Sequence, residues 1–126
     1  MKLAVLDYGI GNLRSAQKAF EHLGADARLT ADRTEIDAAD AVVLPGVGAF
    51  GACVDALRSS GLDEIARDVA ASGRPFMGIC VGMQLLYSGS DESPDHKGLG
   101  IFDRRIHLLP ATVKRPQMQW NRLVAT

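Results

Sequence analysis

A chain of 126 residues with 14 Lys+Arg, 15 Asp+Glu and a formal net charge of −1 has the size of one domain and no basic block to follow nucleic-acid phosphates. Its 47% hydrophobic and 23% charged residues exclude a disordered polypeptide, and two cysteines, Cys53 and Cys80, are too few for a disulfide framework or a CxxC metal site. A reducing, cytoplasmic setting is expected, because Leu3-Ala4-Val5-Leu6 meets Asp7 too early for a signal-peptide core and mostly apolar Ala41–Val54, broken by Pro45 and glycines, is too short to span a bilayer.

The first element is the compact apolar run Lys2 to Leu6, read as a strand buried on both faces. Asp7 to Asn12 is turn-rich, and Asn12 is placed to cap a helix that begins at Leu13. Leu13, Ala16, Phe20 and Leu23 recur at helical spacing until Gly24. Ala27 to Thr30 is a weaker strand. Ala41 to Leu44 is the third strand, ended by Pro45 and Gly46. Helices follow over about Ala52 to Arg58 and Asp63 to Ala71. Phe76 to Ile79 is a fourth strand that runs into Cys80, and Val81 to Tyr87 reads as the next helix. Ser88 to Lys97 is polar and reads as irregular. Extended pieces are expected around Ile106 to Leu109 and Val113. Strand–helix alternation at this spacing predicts an open parallel sheet with helices on both faces, whose functional groups collect at the carboxyl ends of the strands.

Three glycine-rich turns lie at such strand ends. Gly78-Ile79-Cys80-Val81-Gly82 is G-x-C-x-G between a strand and a helix, the pattern of a nucleophile elbow. Small residues on either side permit the tight turn, the helix behind favours the thiolate, and the N–H of Val81 points toward a developing oxyanion. The competing reading makes Cys80 a small core residue at a strand end. Gly46-Val47-Gly48-Ala49-Phe50-Gly51 spells G-x-G-x-x-G, but the acidic residue a dinucleotide site needs on the next strand is missing. Presenting backbone N–H groups to an oxyanion is the better use, and a plain tight turn is the bland one. Gly9 to Arg14 lacks the third glycine; it reads as an anion-binding helix start or, more simply, a capped turn.

A cysteine nucleophile needs a base. Of the three histidines, His22 falls on the solvent side of the first helix, His96 in the polar loop and His107 on a late extended piece. None has an acidic neighbour in a helpful context or metal-ligand spacing to another His, so no base, metal site or cofactor is assigned.

Asp7-Tyr8-Gly9-Ile10-Gly11-Asn12-Leu13, Leu44 to Phe50 and Gly78 to Leu86 together resemble the class I glutamine amidotransferases. With Gly98-Leu99-Gly100 and Pro116-Gln117-Met118-Gln119-Trp120-Asn121, the resemblance narrows to the family of glutaminase subunits of imidazole glycerol phosphate synthase, of histidine biosynthesis. It covers essentially the whole chain in order. It implies a three-layer, doubly wound, mostly parallel α/β fold of flavodoxin-like type, with residues 1–126 forming the N-terminal portion of one amidotransferase domain. It implies that Cys80 attacks the side-chain amide of L-glutamine, releasing ammonia and leaving a thioester that water hydrolyses. Val47 and Gly48, Val47 after a peptide flip, and Val81 would supply the oxyanion N–H groups, and Gln84 would bind the substrate. Ammonia would pass to a cyclase subunit, a (β/α)8 barrel, faced by Asn12, Gln117, Met118, Trp120 and Asn121.

The sequence departs from the family in three places. The family's His and Glu, in a His-Pro-Glu type motif, do not occur up to Thr126, so the fold is expected to be incomplete at its C-terminal end. Gln119 stands where the family commonly has Gly before Trp-Asn, and Asp103-Arg104-Arg105 stands where a Pro-Gly turn is expected. The missing base leaves a second reading, a binding module that only docks on the cyclase, and a more distant third, a flavodoxin-like anion-binding or redox-sensing thiol protein.

Overall fold

The computed structural model describes residues 1–125 and has two sheets. The larger is built from β1 (Lys2–Leu6), β2 (Asp26–Thr30), β3 (Ala41–Gly46) and β4 (Phe76–Cys80), in the order β2-β1-β3-β4, with every pairing parallel. The helices are α1 (Leu13–His22), α2 (Arg33–Asp37), α3 (Phe50–Ser59), α4 (Leu62–Ala71) and α5 (Val81–Gln84).

Side chains on a strand alternate between faces, so a strand buried on both sides feeds two cores. Leu3, Val5, Ala41 and Val43 pack one way with Ala27, against Ala16 and Phe20 of α1. Ala4, Leu6, Val42 and Leu44 pack the other way with Ile36 of α2, Phe50, Val54 and Leu57 of α3, and Leu62 and Val69 of α4. The result is the expected three layers. Val5, Leu6, Val42, Val43 and Leu44 are at most 1% exposed. At about 1.5–3 kcal/mol for each fully buried aliphatic side chain, β1 and β3 contribute a large share of the fold's cohesion.

Several boundaries differ from the sequence reading. β3 runs on through Pro45 and Gly46, which pair with Ile79 and Cys80 of β4. Proline is tolerated because β1 pairs with β3 only at Ala41–Val43, so the missing N–H of Pro45 falls where that ladder has already stopped. α2 was not foreseen; Asp32 caps it, its side chain accepting from Glu35 N at 3.0 Å. Asn12 stands at the N-cap of α1, but its side chain makes no capping bond.

α5 is four residues long rather than reaching Tyr87, and the segment read as irregular forms a second sheet. There β5 (Tyr87–Ser90) pairs antiparallel with β6 (Ser93–Lys97) and parallel with β7 (Phe102–Ile106). The chain leaves α5 early because Leu85 and Leu86 are buried, and Gly98 seats the returning strand directly against the Tyr87 carbonyl, where no side chain fits. Residues 107–125, where extended pieces at Ile106–Leu109 and Val113 were expected, form no strand beyond Ile106 itself. Among the described residues no helix is long and apolar enough to cross a membrane.

Candidate active site

Cys80 ends β4 and immediately precedes α5, with φ 56° and ψ −121°. It is the one non-glycine residue with positive φ among the described residues, a conformation that costs about 1–3 kcal/mol and persists only where the surroundings hold it. What holds it is visible in three glycines. A Cβ on Gly78 would collide with the backbone of Met83, and one on Gly82 with Leu44 O. A Cβ on Gly46 would sit 2.5 Å from Gly82 N and 3.1 Å from Tyr8 Oη. The tips of β3 and β4 and the start of α5 therefore touch backbone to backbone. The turn leaves the Cys80 thiol exposed, while Val81 behind it is buried.

The loop after β3 lies next to Cys80 because Gly46 and Cys80 are register partners. Val47 is 46% exposed and Gly48 has φ +81°. Each loop glycine has its own steric or conformational reason: Gly46 meets α5, Gly48 needs the left-handed region, and a Cβ on Gly51 would lie 2.9 Å from the His96 ring. The G-x-G-x-x-G spelling thus arises from close packing at Gly46 and Gly51 and from the left-handed backbone at Gly48. Under the loop, Tyr8 Oη donates to Pro45 O, and Cys53 Sγ donates to Val47 O at 3.2 Å. Burial pushes the Cys53 thiol up and likewise the Tyr8 hydroxyl. Ala49 offers no side chain to cap α3; Glu92 and Ser93 do so from β6 and the turn before it, accepting from Phe50 N at 3.2 Å and Gly51 N at 3.1 Å.

The structure therefore brings together Cys80, Val81 and the loop of Val47 and Gly48, with half-buried Gln84 at the end of α5, one turn on. It brings no histidine into hydrogen-bonding contact with Cys80 among the described residues. His22 is exposed in the last turn of α1. His96 is on β6 rather than in a loose loop, with Nε2 3.3 Å from Asp55 Oδ2, and His107 lies just past β7, with Nδ1 3.0 Å from Asp91 Oδ2. Two histidines thus do have acidic partners, which the sequence could not show because the pairs are 41 and 16 residues apart. His107, and Arg105 to a lesser degree, hold the Asp91 carboxyl below its usual range. Asn12, Gln117, Met118, Trp120 and Asn121 are all exposed, the last four on the C-terminal stretch. Among the described residues no group of three or more His, Cys, Asp or Glu is placed to hold a metal.

Tyr8, Cys53, Glu92 and Ser93 were not singled out from the sequence as parts of this region; their contacts span 6 to 42 residues. The sequence offered only the place of Tyr8 in the Asp7–Leu13 block and that of Cys53 on the helix expected over about Ala52 to Arg58.

The chain matches the CobB/CobQ-like glutamine amidotransferase domain over residues 11–121. It is 48% identical over 120 residues to the imidazole glycerol phosphate synthase subunit HisH of Lactiplantibacillus plantarum, covering 94% of this chain and 58% of that one. It is 47% identical over 121 residues to the subunit of the same name from Methanopyrus kandleri, covering 96% and 60%. The chain thus spans about three-fifths of the length of these relatives. In fold it is similar to a crystal structure of a glutamine amidotransferase, with a TM-score of 0.70 and 22% identity over 83% of this chain and 55% of the other.

Proposed function

We propose a function from the premise that this chain belongs to the glutamine amidotransferase family: the whole protein is the glutaminase subunit of a cytoplasmic imidazole glycerol phosphate synthase. Cys80 is its nucleophile. The thiolate adds to the side-chain carbonyl of glutamine, the N–H groups of Val81 and of Val47 (after a peptide flip) or Gly48 stabilise the oxyanion, and ammonia leaves a γ-glutamyl thioester for water to cleave. Gln84 binds the glutamine, and ammonia goes to a (β/α)8-barrel cyclase that Asn12, Gln117, Met118, Trp120 and Asn121 face.

One observation carries the reading. Cys80 is exposed at the tip of β4 in a positive-φ turn, a nucleophile-elbow geometry, and pairs with Gly46 at the root of an N–H-bearing loop. The test is ammonia release from L-glutamine by the whole protein with its cyclase, against Cys80→Ala. Turnover lost in that variant supports the reading; undiminished turnover overturns it.

The pairing of His96 with Asp55 and of His107 with Asp91 favours a second reading for the 126 residues by themselves, a module that docks without turning over. Amide cleavage needs a proton delivered to the departing ammonia, and thioester hydrolysis needs an activated water. These residues mixed with the cyclase are expected to release no ammonia catalytically. Multiple turnovers abolished by Cys80→Ala would contradict that.

A further inference from the structure

Two buried polar side chains beneath the loop take no part in bond making. Tyr8 is 6% exposed and Cys53 is fully buried. Tyr8 has one proton, directed at Pro45 O, and Cys53 has one, directed at Val47 O, so each side chain secures one loop carbonyl. Cys53 Sγ in turn lies 3.2 Å from Val47 O.

The two anchored carbonyls belong to the Pro45–Gly46 and Val47–Gly48 peptides. Between them lies the Gly46–Val47 peptide, which carries the Val47 N–H. A peptide unit is planar and turns only through the dihedrals at its two ends, so securing both neighbours fixes the axis of the middle plane and confines to that one peptide the flip that brings the Val47 N–H round. Gly46 has no room to shift away, since Gly82 N and Tyr8 Oη lie against the position its Cβ would occupy.

We propose that Tyr8 and Cys53 are positioning residues that hold the Pro45–Gly48 backbone so that its N–H groups face a carbonyl under attack by Cys80. This deepens the reading of Cys80 as nucleophile and rests on it. Neither side chain touches substrate; each acts through a backbone carbonyl. A hydrogen-bond donor aimed at an oxyanion acts only if held in place before the charge develops, so loosening its support lowers the rate of carbonyl attack without altering the thiol.

The test separates two electrophiles on the full chain. The γ-p-nitrophenyl ester of L-glutamate is attacked at its carbonyl carbon. The C–S bond forms, the ester C–O bond breaks, and nitrophenolate departs with the electron pair, giving one burst per Cys80 without a proton donor. Iodoacetamide is attacked at its methylene carbon and builds no oxyanion. In Cys53→Ala and Tyr8→Phe the burst rate constant is expected to fall about tenfold or more, whereas Cys80 reacts with iodoacetamide as fast as before. Cys53→Ser, which keeps a donor at that position, is expected to recover most of the burst rate. Unchanged bursts in Cys53→Ala and Tyr8→Phe overturn the proposal, as do ester and iodoacetamide rates that fall together. A parent chain whose burst does not exceed that of Cys80→Ala defeats the nucleophile reading instead, so the two failures are distinguishable.

Discussion

Gly82→Ala sets local propensity against packing. Gly82 lies inside α5, where alanine is favoured over glycine by about 1 kcal/mol, so propensity alone forecasts a stabilised protein. The geometry forecasts the reverse. An added Cβ would fall 2.8 Å from Leu44 C and 2.9 Å from Pro45 C, and closest of all to Leu44 O. All three atoms are backbone of β3, so no rotamer change gives relief; the strand tip must move away from α5. Overpacking of this kind costs about 1–3 kcal/mol. Three backbone atoms inside 3.0 Å put the cost at the top of that range, about 3 kcal/mol, so after the gain of about 1 kcal/mol the net loss is about 2 kcal/mol, with Tm lower by roughly 4 °C per kcal/mol for a domain of this length. Thermal unfolding followed by circular dichroism, with urea unfolding as a second measure, reads it. A Gly82→Ala chain as stable as the parent, or more so, would refute the claim that β3 and α5 meet backbone to backbone.

Brief iodoacetamide treatment at neutral pH, mapped by mass spectrometry, is expected to label exposed Cys80 well before fully buried Cys53; Cys53 first would contradict the placement of both. Because the folded Cys53 thiol is pushed up, its proton is held more tightly in the native state, so its contribution to stability is complete below the unfolded thiol's pKa and is lost as pH rises through the raised value. The difference in urea midpoint between the parent and Cys53→Ser is therefore expected to shrink from pH 7 to pH 10, and a difference that grows would reverse the sign argued here. Ser93→Ala removes an acceptor from Gly51 N at the start of α3 and is expected to cost about 1 kcal/mol in thermal unfolding, with no loss if the cap contributes nothing.

The parts legible in the sequence were those with dense local signal. β1 and β3 are continuous apolar runs, and G-x-C-x-G marks a strand-to-helix turn by itself. The second sheet was illegible because Ser93-Pro94-Asp95-His96-Lys97 has no apolar alternation; its order comes from backbone pairing to Tyr87–Ser90 and from Glu92, Ser93 and His96 meeting the start of α3. α5 was overextended because Leu85 and Leu86 continue a helical pattern, although they are buried by a chain that has already turned toward β5. The loop's support was hidden for another reason. Tyr8 reaches Pro45 across 37 residues, and no local rule joins a tyrosine after one strand to the carbonyl at the tip of another.

If Cys80 is the nucleophile proposed above, it attacks a γ-glutamyl carbonyl with the help of neighbouring backbone N–H groups. Intact-protein and peptide mass spectrometry after brief exposure to the γ-p-nitrophenyl ester of L-glutamate tests it directly. A single γ-glutamyl group is expected, carried on Cys80 and absent from Cys80→Ala; a chain that stays unmodified, or one modified equally well in Cys80→Ala, would overturn the assignment of Cys80 as nucleophile.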